Sequence, residues 1–311
     1  MKRVFGIDVG GTTIKFSIID ESGSILEHWS IPTDAADGGA RIPAAIAAEV
    51  RAHLTGAADD PVAVGVGVPG PVCGGVVERA VNLGWGRTPL GSLLGEATGL
   101  PVTLLNDANA AALGEAWMGG DSACRGGSAV FVTLGTGVGG GVIVDGRVLN
   151  GRNGCAGEVG HMLVAAPGER RCGCGKVNCL ECYTSATGFV QTANELVEAA
   201  GDPRRYTEGK EVFDQVAAGD ELAVRARDIT VGYLARGLAG IMCTVDPQEV
   251  IVGGGLSHAG DLLMGPLAEA LERYVFPAML GKYVLRRATL GNDAGALGAA
   301  YQAFQMVGAI A

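Results

Sequence analysis

An α/β fold of two related lobes is what this sequence predicts. Three features predict it: strands alternate with helices, a strand–glycine turn–strand unit occurs twice, and 311 residues exceed most single compact domains. The run 4–7 is β-branched and aromatic and ends at Asp8-Val9-Gly10-Gly11-Thr12-Thr13. Residues 14–19 then read as a second strand closed by Asp20-Glu21-Ser22-Gly23, so the two make a hairpin. Ile42, Ile46, Val50 and Leu54, four apart, mark a helix, and a buried strand over 62–68 stops at Pro69-Gly70-Pro71. After Leu100-Pro101 a strand at 102–105 runs into Asn106-Asp107-Ala108-Asn109 and an Ala-rich helix through Trp117.

Residues 129–145 repeat the opening unit: strand, glycine-rich turn, strand and Asp. A shift of 125 positions lays Gly10 on Gly135, Ile18 on Ile143 and Asp20 on Asp145, which implies two related lobes. A loop-rich Cys segment follows, then a helix from Thr187 and a long helix carrying Leu222, Ala226, Ile229 and Tyr233 four and three apart. A strand at 249–252 ends in Gly253-Gly254-Gly255, a third place where backbone can approach a ligand closely. A last helix, about 293–305, is expected to cross back to the first lobe. The expected division is therefore 1–118 plus 293–311 for the first, smaller lobe and 119–292 for the second.

A net charge of −10 and a pI near 4.9 argue against a protein that tracks nucleic-acid phosphates, which needs a basic stripe. Met-Lys-Arg-Val-Phe leads straight into the first strand, leaving no room for the apolar core of a signal peptide, so a cytoplasmic location is expected. The longest uncharged stretch, 128–144, contains five glycines and is not read as a membrane span. Eight cysteines in a chain that is neither small nor secreted do not suggest a disulfide framework. Cys73, Cys124, Cys155 and Cys243 are scattered and read as small apolar residues. Cys172-x-Cys174-x4-Cys179 is different, because soft thiolates at this spacing fit tetrahedral zinc.

The two glycine-rich turns are suited to phosphate, since unobstructed backbone N–H groups can surround an anion. Neither carries the Gly-Lys-Ser/Thr of a P-loop, and each leads into a strand rather than the helix of a dinucleotide fingerprint. A single such turn could equally be a plain hairpin turn. The pair, with Asp8 and Thr136 at matching turns, favours phosphate.

Five segments carry a specific resemblance: Gly6-Ile7-Asp8-Val9-Gly10-Gly11-Thr12, Asn106-Asp107-Ala108-Asn109-Ala110-Ala111, Leu134-Gly135-Thr136-Gly137-Val138-Gly139-Gly140-Gly141, Glu158-Val159-Gly160-His161, and the Cys cluster through Cys179-Leu180-Glu181. On these the sequence resembles, over essentially its whole length, the ROK family of sugar kinases and repressors. That family lies within the wider group of hexokinase, actin and heat-shock ATPases, so the resemblance implies an actin-like, hexokinase-like fold of duplicated ribonuclease H-like lobes clamping ATP. It implies that Asp8 orients magnesium (Mg2+) water and that Gly10, Gly11, Thr12 and Thr13, with Lys15, Thr136 and Gly137, hold the phosphates. Gly253, Gly254 and Gly255 would border the adenosine. Asn82, Asn106, Glu158, His161 and Glu181 would hydrogen-bond the sugar hydroxyls, and His161 would join Cys172, Cys174 and Cys179 on zinc (Zn2+). Cys182, three residues beyond Cys179, leaves an all-Cys site open. Asn178 stands where the family usually has Gly before the third Cys, and Asn is the side chain that best tolerates a left-handed backbone.

Asp107 is the candidate catalytic base and also a sugar contact, because an attacking hydroxyl must lose its proton as the phosphoryl group transfers. Its other reading is the N-cap of the Ala-rich helix. Glu158 and Glu181 taken alone would be solvated surface carboxylates. Residues 6–15, Pro32-Thr33-Asp34 and Ser185-Ala186-Thr187-Gly188 look like those of bacterial ROK glucokinases, implying transfer of the γ-phosphoryl of ATP to the 6-hydroxyl of glucose. A kinase of N-acetylmannosamine, N-acetylglucosamine or fructose is the alternative. A ROK repressor should carry a helix-turn-helix before the first strand, and an actin-like ATPase without a sugar substrate should lack the Asn-Asp pair and the Cys cluster. The family often forms homodimers or homotetramers.

Overall fold

The structure, a computed structural model, describes residues 1–120 and 127–310. Cys124 lies outside the described residues. The chain forms two compact units: Met1–Gly126, Gly141–Gly157 and Leu290–Ala311 make unit 1, and Gly127–Gly140 with Glu158–Thr289 make unit 2. The segment 141–157, assigned from sequence to the second lobe, groups with unit 1 because Gly141 packs on Ala108 and Ala112 of the Ala-rich helix.

Unit 1 is built on a sheet of β1 (Arg3–Val9), β2 (Thr13–Asp20), β3 (Ile25–Pro32), β4 (Val64–Val68) and β5 (Val102–Asn106), in the order β3-β2-β1-β4-β5. β1 and β2 pair antiparallel as expected, while β4 and β5 continue parallel. β1 and β4 are central, so both their faces are apolar and buried, as parallel strands covered on two sides require. The sequence reading did not include β3. Its residues are mostly exposed because it is the sheet edge, so no buried alternation marks it. One face is covered by α1 (Ile42–Ala52), which buries Ile42, Ile46 and Val50, and α2 (Leu90–Thr98), which buries Leu90 and Leu94; Leu54 falls beyond the end of α1.

The other face carries α3 (Asp107–Met118) and, from the C-terminal segment, α8 (Ala294–Met306). Backbone meets backbone here: a Cβ on Gly6 would strike Ala296 O, on Gly65 Ala299 O, on Gly114 Ala294 O and on Gly298 Ala110 O. These glycines are therefore fixed by space, since the carbonyl oxygens already occupy the place of a methyl group.

In unit 2, β6 (Ala129–Leu134) and β7 (Val138–Val144) reproduce the hairpin of β1 and β2, and β7 carries the chain out of the unit after Gly140. With β8 (Arg147–Val148), β9 (Glu249–Gly253) and β10 (Val284–Arg287) the second sheet runs β8-β7-β6-β9-β10, the order of the first sheet displaced by five. That identity of order is the structural form of the internal repeat. The unit also holds α4 (Ala186–Ala199), α5 (Gly209–Ala217), α6 (Glu221–Val245) and α7 (Asp261–Tyr274). Phe189, Phe213, Leu234, Leu238, Leu263 and Leu267 form its buried interior. Among the described residues no helix is long and apolar enough to cross a membrane.

Two glycines inside α6 contrast with the packed ones. A Cβ on Gly232 meets nothing within 4 Å, and one on Gly240 meets only Met162 Cε at 3.8 Å. Gly232→Ala and Gly240→Ala are each expected to raise stability by up to about 1 kcal/mol through helix propensity, read as a higher denaturant midpoint at unchanged slope. A lower midpoint for both would show that α6 does not behave as an ordinary helix at these positions.

Candidate active site

In unit 1 the first glycine turn is closed by its own backbone, with the Gly10 N–H donating to Thr13 O at 3.0 Å. It is fastened by Thr33, just past the end of β3: the Thr33 N–H donates to Thr12 O at 2.9 Å and the Thr33 hydroxyl to Gly10 O at 2.7 Å. Thr33 thus holds the turn, a role the sequence did not reveal because it depends on the edge strand. Asn82, on a short 3-10 turn (Val81–Leu83), stands beside this loop, its Cβ 3.4 Å from where a side chain on Gly11 would begin. Asp8 and Lys15 are cross-strand partners in the β1–β2 ladder. A Cβ on Gly295 would lie 3.2 Å from Asp8 Cγ, so the Asp8 carboxyl rests against the first turn of α8. Burial pushes that carboxyl above the usual aspartate range, the nearby Asp107 carboxylate adds to this, and Lys15 opposes it.

Asn106 ends β5 and caps α3. Its side-chain oxygen accepts from the N–H groups of Ala108 at 3.0 Å and Asn109 at 3.3 Å, and its amide donates to Gly70 O at 3.1 Å. The cap is therefore Asn106, which leaves Asp107 free for another task. Asp107 accepts the Ala108 N–H at 2.8 Å and is exposed to solvent on its outer side. Crowding by protein on its inner side desolvates the carboxyl and pushes it above the ordinary range, against the pull of the Ala108 N–H and the Asn106 side chain. An exposed carboxylate with a raised proton affinity is suited to accepting a proton.

In unit 2 the second glycine turn is also closed by its own backbone, one residue tighter than the first: the Gly135 N–H donates to Gly137 O at 3.0 Å. The start of α4 clasps it, with the Ala186 N–H on Gly135 O at 2.8 Å and the Thr187 hydroxyl on Thr136 O at 3.1 Å. Gly254, at φ +81°, lies on the Leu134 backbone, where both its conformation and the lack of space exclude a side chain; Gly255 faces open space. The glycine-rich segments of unit 2 that follow β6 and β9 are thus adjacent.

His161, Cys172, Cys174 and Cys179 each offer one ligand atom, and these atoms lie within 4.8 Å of one another. Cys172 Sγ is 3.6 Å from His161 Nδ1, and Cys174 Sγ is 3.6 Å from Cys179 Sγ. Tetrahedral zinc–thiolate geometry sets ligand atoms about 3.7 Å apart, so the set fits that ion. Cys182 is not in the cluster. Asn178 adopts φ +58°, the left-handed conformation expected of it. Arg170 braces the loop from inside, donating to Cys182 O, Gly188 O, Thr192 and Glu195 with its guanidinium 4.5 Å over the Tyr183 ring.

His161 Nε2 faces Glu158 at 3.9 Å, so the ring has one nitrogen toward the thiols and one toward an exposed carboxylate. Glu181 joins two features: Oε1 lies 2.9 Å from Cys172 Sγ, and Oε2 accepts the Val138 N–H at 3.3 Å beside Gly137. Burial and this carboxylate push the Cys172 thiol above its ordinary range. Cys73, on a short strand (Val72–Cys73), Cys155 in a loop and Cys243 near the end of α6 are exposed, which differs from their reading as small apolar residues. Sequence reasoning also passed over Asn109. Its side-chain oxygen is buried beside Gly141 with no hydrogen-bond partner, a property no sequence pattern discloses.

Two sheets of one strand order, each with a glycine turn after its first strand, define the actin-like class of nucleotide-dependent phosphotransferases. The ROK family profile matches residues 4–306, and the chain belongs to the ROK family. It is 40% identical to a glucokinase of Halalkalibacterium halodurans over 306 residues, 94% of this chain and 92% of that one. Among solved structures it is similar to a ROK hexokinase from Thermus thermophilus, with a TM-score of 0.84 and 36% identity over 98% of this chain and 99% of that one. It is also similar to a ROK family glucokinase from Streptomyces griseus in complex with glucose and AMPPNP, with a TM-score of 0.73 and 33% identity over 97% and 99% of the two chains.

Proposed function

We propose that this protein is an ATP-dependent glucokinase in which Asp107 takes the proton of the glucose 6-hydroxyl as the γ-phosphoryl group arrives. The observation that carries the reading is the Asn106–Asp107 pair: Asn106 caps the helix, so the exposed Asp107 carboxyl, of raised proton affinity, stands at the start of α3 with only the Ala108 N–H shared between the two. The similarity to glucokinases, one of them holding glucose and AMPPNP, supports the choice of sugar and donor.

In this reading Asn82, Asn106, Asp107, Glu158, His161 and Glu181 bind the sugar hydroxyls. Gly10, Gly11, Thr12, Thr13, Lys15, Thr136 and Gly137 hold the phosphates, and Gly254 and Gly255 border the adenosine. Mg2+ would be held through water by Asp8 and supplies charge neutralisation for the phosphates. Asp8 itself keeps a carboxyl against the first turn of α8 and beside Lys15. His161, Cys172, Cys174 and Cys179 would hold Zn2+, which when bound would supply a fixed frame for the loop. Within that frame His161 Nε2 is free to donate a hydrogen bond to a sugar hydroxyl beside Glu158. A cytoplasmic homodimer or homotetramer completes the proposal.

The test is a coupled assay with ATP against glucose, N-acetylmannosamine, N-acetylglucosamine and fructose. Glucose should give the highest kcat/KM by roughly tenfold or more, a margin that a few site hydrogen bonds supply. Preference for a hexosamine would replace the substrate, and activity with polyphosphate alone would replace the donor.

A further inference from the structure

α3 begins at the candidate base and carries, two turns later, a second carboxylate to which the proposed chemistry gives no role. Glu115 is wholly buried, and its Oε1 accepts the Leu290 N–H at 2.7 Å. Leu290 is the residue at which the chain returns to unit 1, and it opens the turn Gly291–Asp293 that leads into α8. Three residues into that lead, Asp293 is followed by Ala294, whose carbonyl oxygen occupies the place of a Cβ on Gly114, the neighbour of Glu115. One residue further, Gly295 lies against the Asp8 carboxyl. Gly119, just past the end of α3, has ordinary dihedrals of φ −80° and ψ 142°, yet a Cβ there would strike Glu115 Oε2. The Glu115 carbonyl oxygen, 2.6 Å from the same place, excludes a side chain as well, so the glycine is required by the Glu115 residue and not by its own dihedrals.

We propose that Glu115 is a positioning residue for phosphoryl transfer: by accepting the Leu290 N–H it sets the start of α8, and through Gly295 it fixes the carboxyl of Asp8. The inference rests on the kinase reading, in which Asp8 serves the nucleotide side. The Leu290 contact leads through the start of α8 to Asp8, so the effect traced through it belongs to the donor half of the reaction. A small displacement of a positioned group costs far more in turnover than in binding of the other substrate.

Three variants of the full chain test this. Glu115→Ala removes the acceptor; Gly119→Ala keeps the carboxylate but crowds both it and the Glu115 carbonyl oxygen; Glu115→Gln keeps an oxygen able to accept the Leu290 N–H. The alanine variants are expected to lower kcat about 10- to 100-fold and to raise the KM for ATP, while glucose affinity without nucleotide, measured by calorimetry, stays within about twofold. Glu115→Gln should remain within about fivefold of wild type, because a neutral acceptor still satisfies the amide. Where Glu115→Ala does not fold, Gly119→Ala carries the same readout. The proposal is overturned by near wild-type turnover in the alanine variants, by glucose affinity falling in step with kcat, or by a glutamine variant as impaired as alanine. A wild type that phosphorylates no sugar overturns the kinase reading itself, and this inference with it.

Discussion

Asp107→Ala is expected to lower kcat by about two to four orders of magnitude, the range for loss of a general base, with glucose binding partly retained. The retained binding follows from the geometry, since Asn106 keeps its own cap and its bond to Gly70 without help from Asp107. The pH profile gives a second readout. Desolvation raises the Asp107 carboxyl above its ordinary range, and only the deprotonated form can accept the sugar proton. Activity should therefore fall as pH drops through that raised value, with the acidic limb above the usual aspartate range. Asp107→Asn should remove the limb along with most of the rate. A mutant within a few-fold of wild type would take Asp107 out of this role, as would a limb at the ordinary aspartate position.

Loss of the metal should produce the other large effect. Structural zinc in small peptides contributes on the order of 10–16 kcal/mol of apparent binding energy, so chelation is expected to loosen the segment from Glu158 to Glu181. Glucose should suffer more than ATP, because Glu158, His161 and Glu181 lie on that segment whereas Gly10, Gly135 and Gly254 do not. His161→Ala should abolish zinc binding and raise the KM for glucose. Cys182→Ser should keep one zinc per chain, since Cys182 is outside the four-atom cluster. Zinc retained in the first variant and lost in the second, measured by elemental analysis, would reverse the assignment. Glu181 will give a composite phenotype in any such series, because its carboxylate meets both the Cys172 thiol and the Val138 N–H.

How much of this was legible follows the range of each interaction. The hairpins at 4–19 and 129–145, the capped helix after Asn106 and the thiol spacing are local, and local chemistry dictates them. The left-handed Asn178 is local too, which is why one substitution for Gly could be judged in advance. β3 was missed because an exposed edge strand has no buried face to set its pattern. The grouping of 141–157 with unit 1, the grip of Thr33 on Gly10 and the reach of Glu115 to Leu290 depend on partners 23 to 175 positions away, and no local pattern encodes them. The site followed the same division: candidate residues could be named, but the second contact of Glu181 and the unpartnered oxygen of Asn109 appear only in three dimensions.

The glycines packed between sheet and helices bear on how such an enzyme could adapt to heat. Replacing glycine by alanine is an ordinary route to a higher melting temperature, worth roughly 0.4–1 kcal/mol at a compatible position. At Gly6, Gly65, Gly114 and Gly298 that route is closed, because carbonyl oxygens stand where the methyl would go. Gly232 and Gly240 on α6 remain open to it. The closed positions surround the strands and helices that carry Asp8 and Asp107, while the open ones lie in the other unit. Stabilising changes at Gly232 and Gly240 therefore leave the close sheet–helix contacts around Asp8 and Asp107 undisturbed.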